Sequence, residues 1–183
     1  MAVDVQAFRA GMRHLTAHVC LITTRTAGGE RHGLTATAVC SVSASPPMLL
    51  CCVNRSSSSH EAIRTSGILA VNVLAVEDKR LADRFASSKP GETRFEEGLW
   101  GQLETGAPVL ESALAAFDCR LAHAVDVATH GILFGEIQAV RVRPNQVQQL
   151  LYAHGSYGGF TSLEAARGSD LMWIPTWDWE HGS

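Results

Sequence analysis

The chain of 183 residues has no run of about 18 apolar residues, so no transmembrane helix is expected. Charged residues make up only 18% of it, and the formal net charge is −3. No basic patch dominates, which argues against nucleic acid or an anionic membrane as a partner. CxxC is missing, and no pair of His or Cys has zinc spacing. GxSxG, the P-loop and GxGxxG are all absent, so nothing builds a hydrolase elbow, a phosphate loop or a Rossmann nucleotide site. No Ser-His-Asp arrangement is readable. The start, MAVDVQAFRAGMRH, lacks a basic stretch followed by an apolar core, so no secretory signal and a cytoplasmic location are expected. The cysteines (Cys20, Cys40, Cys51, Cys52, Cys119) are odd in number and sit in apolar runs, and read as reduced core residues.

Apolar residues make up 46%, enough for the core of one domain spanning 1–183. A surface short of charge suggests cover by another subunit. The chain is organised around Gly33–Ile63. Leu34, Ala36, Ala38, Cys40, Val42 and Ala44 alternate with Thr35, Thr37, Val39, Ser41, Ser43 and Ser45, the period of a half-buried strand. Five of the six in the second set carry hydroxyls and none is charged, which suits a face against which something flat and polar is laid. Pro46-Pro47 turns the chain. Met48–Val53 is a continuous apolar run, expected as a strand buried on both faces. Asn54-Arg55-Ser56-Ser57-Ser58-Ser59 follows, and Ser58 with Glu61 has capping-box spacing for a helix starting near His60. A guanidinium beside a helix N-terminus makes an anion site, most naturally for phosphate. The plainer reading is a capped surface loop, and the hydroxyl face before it favours the ligand.

Gly33-Leu34-Thr35-Ala36-Thr37-Ala38, Ser41-Val42-Ser43, Pro46-Pro47 and Asn54-Arg55-Ser56-Ser57-Ser58 together resemble the flavin reductase-like family, the split-barrel reductases of two-component monooxygenases. The resemblance covers about Phe8 to Phe160. It implies a mainly β fold, an antiparallel Greek-key split β-barrel with peripheral α-helices, assembled as a homodimer. It implies hydride transfer from NADH or NADPH to FMN or FAD, and release of reduced flavin to a separate oxygenase. The implied flavin-ring residues are Thr35, Ala36, Thr37, Ala38, Ser41 and Ser43. Those for the phosphate are Asn54, Arg55, Ser56, Ser57 and Ser58. Arg84 and Phe85 match a position near the flavin tail, and His130, His154 and Tyr157 match positions on the nicotinamide side. No acid–base pair is expected, because the cofactors carry the reaction. The rival readings are a pyridoxamine-phosphate-oxidase-like flavoenzyme, a flavin carrier or electron-transfer module, and a barrel used only for association.

Elsewhere, Val5, Phe8, Met12 and Leu15 predict an amphipathic helix over about 4–17 with Asp4 as its cap. Strands are expected at 19–24, 68–74, 116–127, 132–142 and 148–152, and a helix at 77–86 ending before the loop 87–91. Thr129-His130-Gly131 reads as a turn, and so does Pro144-Asn145-Gln146. Residues 92–108 read as a surface segment anchored by Phe95 and Trp100. Tyr152–Phe160 reads as a Gly-rich loop. Asp118, Asp126 and Glu136 are expected to be solvated, and His14, His18, His32, His60, His123 and His181 to hold surface or turn positions. The tail with Trp173, Trp177 and Trp179 lies outside the resemblance and is expected to dock on the barrel or on a partner.

Overall fold

The computed structural model describes residues 3–87, 91–144 and 147–162. The Trp-rich tail, most of the loop after Ser87, and Asn145-Gln146 lie outside the described residues. The helices are α1 (Val5–Met12), α2 (Ser58–Ser66) and α3 (Lys79–Ala86). The first strands are β1 (Ala17–His18), β2 (Cys20–Arg25), β3 (Arg31–Ala36), β4 (Val39–Ala44), β5 (Pro47–Asn54) and β6 (Ile68–Val73). They are followed by β7 (Trp100–Gln102), β8 (Pro108–Leu110), β9 (Ala115–Val127), β10 (His130–Val142), β11 (Leu150–Ala153) and β12 (Ser156–Gly159).

The main sheet has seven antiparallel strands in the order β3-β2-β6-β9-β10-β5-β4. Its two edges, β3 and β4, are joined by Thr37-Ala38 alone. Three virtual bonds of about 3.8 Å separate Ala36 from Val39, so the edges lie within about 11 Å of each other and the sheet must curl. The amide of Cys52 donates to the Ala38 carbonyl at 3.0 Å across this join.

The alternating stretch is therefore two strands, not one. The step at Thr37-Ala38 also changes the phase. Leu34 and Ala36 face the inner core, and past the step it is Val39, from the opposite set, that packs there while Cys40 is exposed. A slip of one residue exchanges the faces of a strand, and this corner makes that slip. β5 is also not buried on both faces: Leu49, Cys51 and Val53 point inward, while Leu50 and Cys52 are half-buried outside.

β2 is the strand buried on both sides. Cys20 and Ile22 join Leu49, Val53, Leu69, Val71 and Leu133 in the inner cluster, which Ile63 of α2 completes. Val19 and Leu21 face a second cluster with Leu81 and Phe85 of α3, Phe95 and Leu150. Cutting a fully buried leucine such as Leu21 to Ala costs about 2–5 kcal/mol at such a position.

α1 is capped as expected: the Asp4 carboxylate accepts from the amides of Gln6 and Ala7, each at 3.1 Å. It is shorter than expected because the chain turns at Arg13 into β1. Among the described residues nothing buries its apolar stripe, for Val5, Phe8, Met12 and Leu15 are 58%, 57%, 49% and 62% exposed. Residues 92–108 form a single 3-10 helix (Glu92–Glu96) and the short ladder of β7 with β8, anchored by Phe95 and Trp100 with ring centroids 4.8 Å apart. Asp118, expected in solvent, is fully buried and accepts from the amide and hydroxyl of Thr105. The expected Gly-rich loop is mostly the β11–β12 hairpin. The turn before β10 is Ala128-Thr129, and His130 and Gly131 are already in the strand.

Cys20, Cys51 and Cys119 are buried, but Cys40 is exposed and Cys52 half-buried, which corrects the reading of all five as core residues. Among the described residues no helix is long and apolar enough to cross a membrane, and no cluster of His, Cys, Asp or Glu has the makings of a metal site.

Candidate functional site

The expected phosphate turn is pre-built by its own side chains. The Asn54 side-chain oxygen accepts from the Ser56 amide and hydroxyl, both at 2.9 Å. Ser57, not Ser58, caps α2, accepting from the Ser59 amide at 3.2 Å. The helix therefore starts earlier than the Ser58–Glu61 spacing suggests, and Glu61 instead accepts from the Thr65 hydroxyl at 3.4 Å. The β9–β10 turn holds Arg55: its amide donates to the Thr129 carbonyl at 3.0 Å and its guanidinium to the Ala128 carbonyl at 3.2 Å.

A hollow of about 790 Å³ opens beside this turn, lined by Asn54, Arg55 and Ser56 together with His60, Arg64 and Asp126. The Arg64 guanidinium donates to Asp126 Oδ1 at 3.1 Å, and Arg55 Nε stands 3.7 Å from Asp126 Oδ2. The His60 side chain is 6% exposed, and its Nε2 lies 3.7 Å from Asp126 without a hydrogen-bond partner. Gly131 of β10 is what lets it lie there, since a Cβ at that position would come within 2.3 Å of His60 Nε2. His130 pairs across the ladder with Asn54, and its Nδ1 is 2.9 Å from the Thr129 hydroxyl.

A second hollow, about 430 Å³, lies at the barrel step and is lined by Thr37, Ala38, Tyr152 and His154. His154 and Gly155 are the two central residues of the β11–β12 turn, both at positive φ (52° and 81°), as a two-residue hairpin turn of this kind requires. A third hollow, about 490 Å³ and largely apolar, takes Ser41 and Ser43 with Met48 and Phe117.

The remaining expected residues are engaged inside the chain. The Thr35 hydroxyl donates to the Ala82 carbonyl at 2.6 Å and so pins α3 to the barrel. Ala36 is buried in the inner core. Phe85 is buried in the second core. The Arg84 guanidinium is almost enclosed, donating to the Thr93 and Arg94 carbonyls and pairing with Glu96 and Glu97. Tyr157 meets Tyr152 edge-on at 5.2 Å, with the Lys79 ammonium over its ring at 5.1 Å. Burial, then the nearby Asp83, raises its hydroxyl pKa. The structure thus brings Asn54, Arg55, Ser56 and His130 to one end of the barrel, and Thr37, Ala38 and His154 to the adjoining corner. Thr35, Ala36, Arg84, Phe85 and Tyr157 line neither hollow.

His60, Arg64 and Asp126 were not legible as site residues. Only their closeness to the Asn54–Ser59 turn, in sequence for His60 and Arg64 and in space for Asp126, reveals them. Arg55, the Ser56 hydroxyl and the orphaned, buried His60 Nε2 fit a phosphate group, while Arg64 is paired with Asp126 and Glu61 lines the same hollow.

The site therefore sits on a curled antiparallel sheet, beside the corner where its two edges meet. The flavin reductase like domain model matches residues 12–161, and the chain belongs to that family. It is 45% identical over 156 residues to the FMN reductase (NADH) RutF 2 of Methylorubrum extorquens, covering 85% of this chain and 90% of the relative. Among solved structures, flavin reductase PheA2 in its native state superposes with a TM-score of 0.78 at 30% identity, over 87% of this chain and 100% of the other. The NADH:FAD oxidoreductase SgcE6 of Streptomyces globisporus, solved with NAD and FAD fragments, superposes with a TM-score of 0.79 at 26% identity, over 88% and 97%.

Proposed function

We propose that this protein is an NAD(P)H-dependent flavin reductase that transfers hydride from NADH or NADPH to FMN or FAD. It hands the reduced flavin to a separate oxygenase component. The observation that supports the reading is the corner itself: the Thr37-Ala38 step lines the hollow holding His154, and the Ala38 carbonyl accepts from Cys52, two residues before the Asn54–Ser58 turn. The family relatives named for flavin and NADH support the same activity.

The bound flavin and nicotinamide supply the hydride chemistry, so this chain's residues act by holding and orienting. Asn54, Ser56 and Ser57 shape the turn, and Arg55 with Ser56 takes the phosphate of the flavin tail. Backbone and hydroxyl groups at Thr37 and Ala38 meet the polar edge of the ring. His154 orients the carboxamide or phosphate of the nicotinamide nucleotide, with His130 further along the same end. The protein works as a cytoplasmic homodimer, a state supported by the apolar stripe of α1 that its own barrel leaves uncovered.

The test is NAD(P)H oxidation across the four cofactor pairs, with flavin absorbance followed in stopped flow. Bleaching of the flavin is expected, at a rate that rises with added free flavin. Absence of bleaching with both nicotinamides would remove the reductase reading. Tight flavin retention without turnover of free flavin would favour a carrier.

A further inference from the structure

The exit of α1 and the β11–β12 turn face each other across the 430 Å³ hollow. Three independent features meet there. His154 occupies a left-handed turn position (φ 52°) where asparagine or glycine is the usual choice. The turn sets the His154 side chain in the lining of a hollow of ligand size.

The exit of α1 also grips that residue twice. The His154 amide donates to the Arg13 carbonyl at 2.9 Å. The His154 ring meets the His14 ring edge-on, with centroids 4.9 Å apart and planes at 89°.

The third feature is charge. Arg13 lines the hollow, and no carboxylate lines it. In the Arg55 hollow the opposite holds, for Glu61 and Asp126 stand beside Arg55 and Arg64. Among the described residues of this hollow the Arg13 cation therefore meets no carboxylate, which leaves it open to an anionic ligand.

We propose that Arg13 and His14 complete the nicotinamide dinucleotide site. Arg13 pairs with the pyrophosphate, which NADH and NADPH share, and His14 is a positioning residue that holds the His154 ring. Met12 and Leu15, 49% and 62% exposed, give the same wall its apolar part, which leaves Val5 and Phe8 further up the stripe for the subunit contact. The inference rests on the reading of this hollow as the nicotinamide side of the reductase.

The test is steady-state kinetics of the full chain with Arg13→Gln, His14→Ala and His14→Phe. α1 buries no residue in its own chain, so these variants should keep the native circular dichroism. Arg13→Gln is expected to raise KM for NADH and for NADPH alike, by about tenfold, with KM for FMN unchanged. Its kcat/KM for NADH should also lose salt dependence. His14→Ala is expected to raise KM for NADH about threefold, and His14→Phe, which keeps a ring against His154, to recover most of that.

An unchanged KM for NADH in Arg13→Gln overturns the pyrophosphate contact while leaving the reductase reading intact. A loss confined to NADPH overturns it too, since the cation would then serve a ribose phosphate. A loss in His14→Ala that His14→Phe does not recover overturns the positioning role. A rise in KM for FMN with that for NADH unchanged assigns Arg13 to the flavin that Thr37 and Ala38 meet, and fails both the inference and the reading of the His154 side as the nicotinamide side.

Discussion

Arg64 donates to Asp126 at 3.1 Å, which ties α2 to the β9–β10 hairpin across 62 residues of chain. Because Asp126 also stands beside Arg55 and His60, this contact fixes one wall of the Arg55 hollow from an element remote in sequence.

Arg55→Ala should weaken flavin binding by about tenfold, the lower end of what a charge-assisted contact is worth at a half-exposed site. The melting temperature should barely change, because the pair it loses is solvent-screened. Fluorescence titration with FMN and FAD checks this, and unchanged affinity would refute the phosphate assignment.

His154→Ala should raise KM for NAD(P)H more than KM for flavin. The substitution removes the ring from the second hollow and leaves the Asn54–Ser58 turn untouched. Equal changes in both constants would count against a nicotinamide role.

Asp118→Ala should cost about 1–3 kcal/mol of stability, since it strands the half-buried Thr105 amide and hydroxyl. Urea unfolding reads this directly. Flavin affinity should stay as it was, because neither residue lines the Arg55 or His154 hollow.

Val5→Glu with Phe8→Glu places two charges on the exposed stripe of α1. If that stripe is the subunit contact, sedimentation velocity should show a shift towards monomer. Unchanged assembly would move the interface elsewhere.

Burial pushes the Cys20 and Cys119 thiols from 9.0 up to about 12, and Cys51 higher still. At mild alkaline pH a thiol reagent should modify Cys40 first and Cys52 more slowly, with the other three reacting only on unfolding. In the unfolded chain the same thiols ionise near their ordinary value of 9.0. The fold's advantage is therefore intact below pH 9 and is lost progressively as pH rises towards about 12. A pH titration of urea midpoints checks the direction.

Much of this molecule is readable in its residues one after another. The Asn54–Ser58 turn declares itself because an asparagine and a run of serines before a helix satisfy one another locally. Asp4 capping α1 is local in the same way, and the β9–β10 pair follows from alternation. Asp118 was misread because its partner Thr105 lies in an aperiodic segment that only the packed sheet brings to it. His60 looked like any surface histidine until Gly131 left room for it behind Asp126.

The order of residues alone carries the mainly β fold and the position of the turn after β5, since periodicity, breakers and caps act between near neighbours. It did not settle where the long alternating segment bends, which side of it meets the core, or that Arg13 and His14 stand against His154. Those outcomes depend on closing a curled sheet, where a two-residue step must join its edges and side chains far apart in sequence are forced into contact.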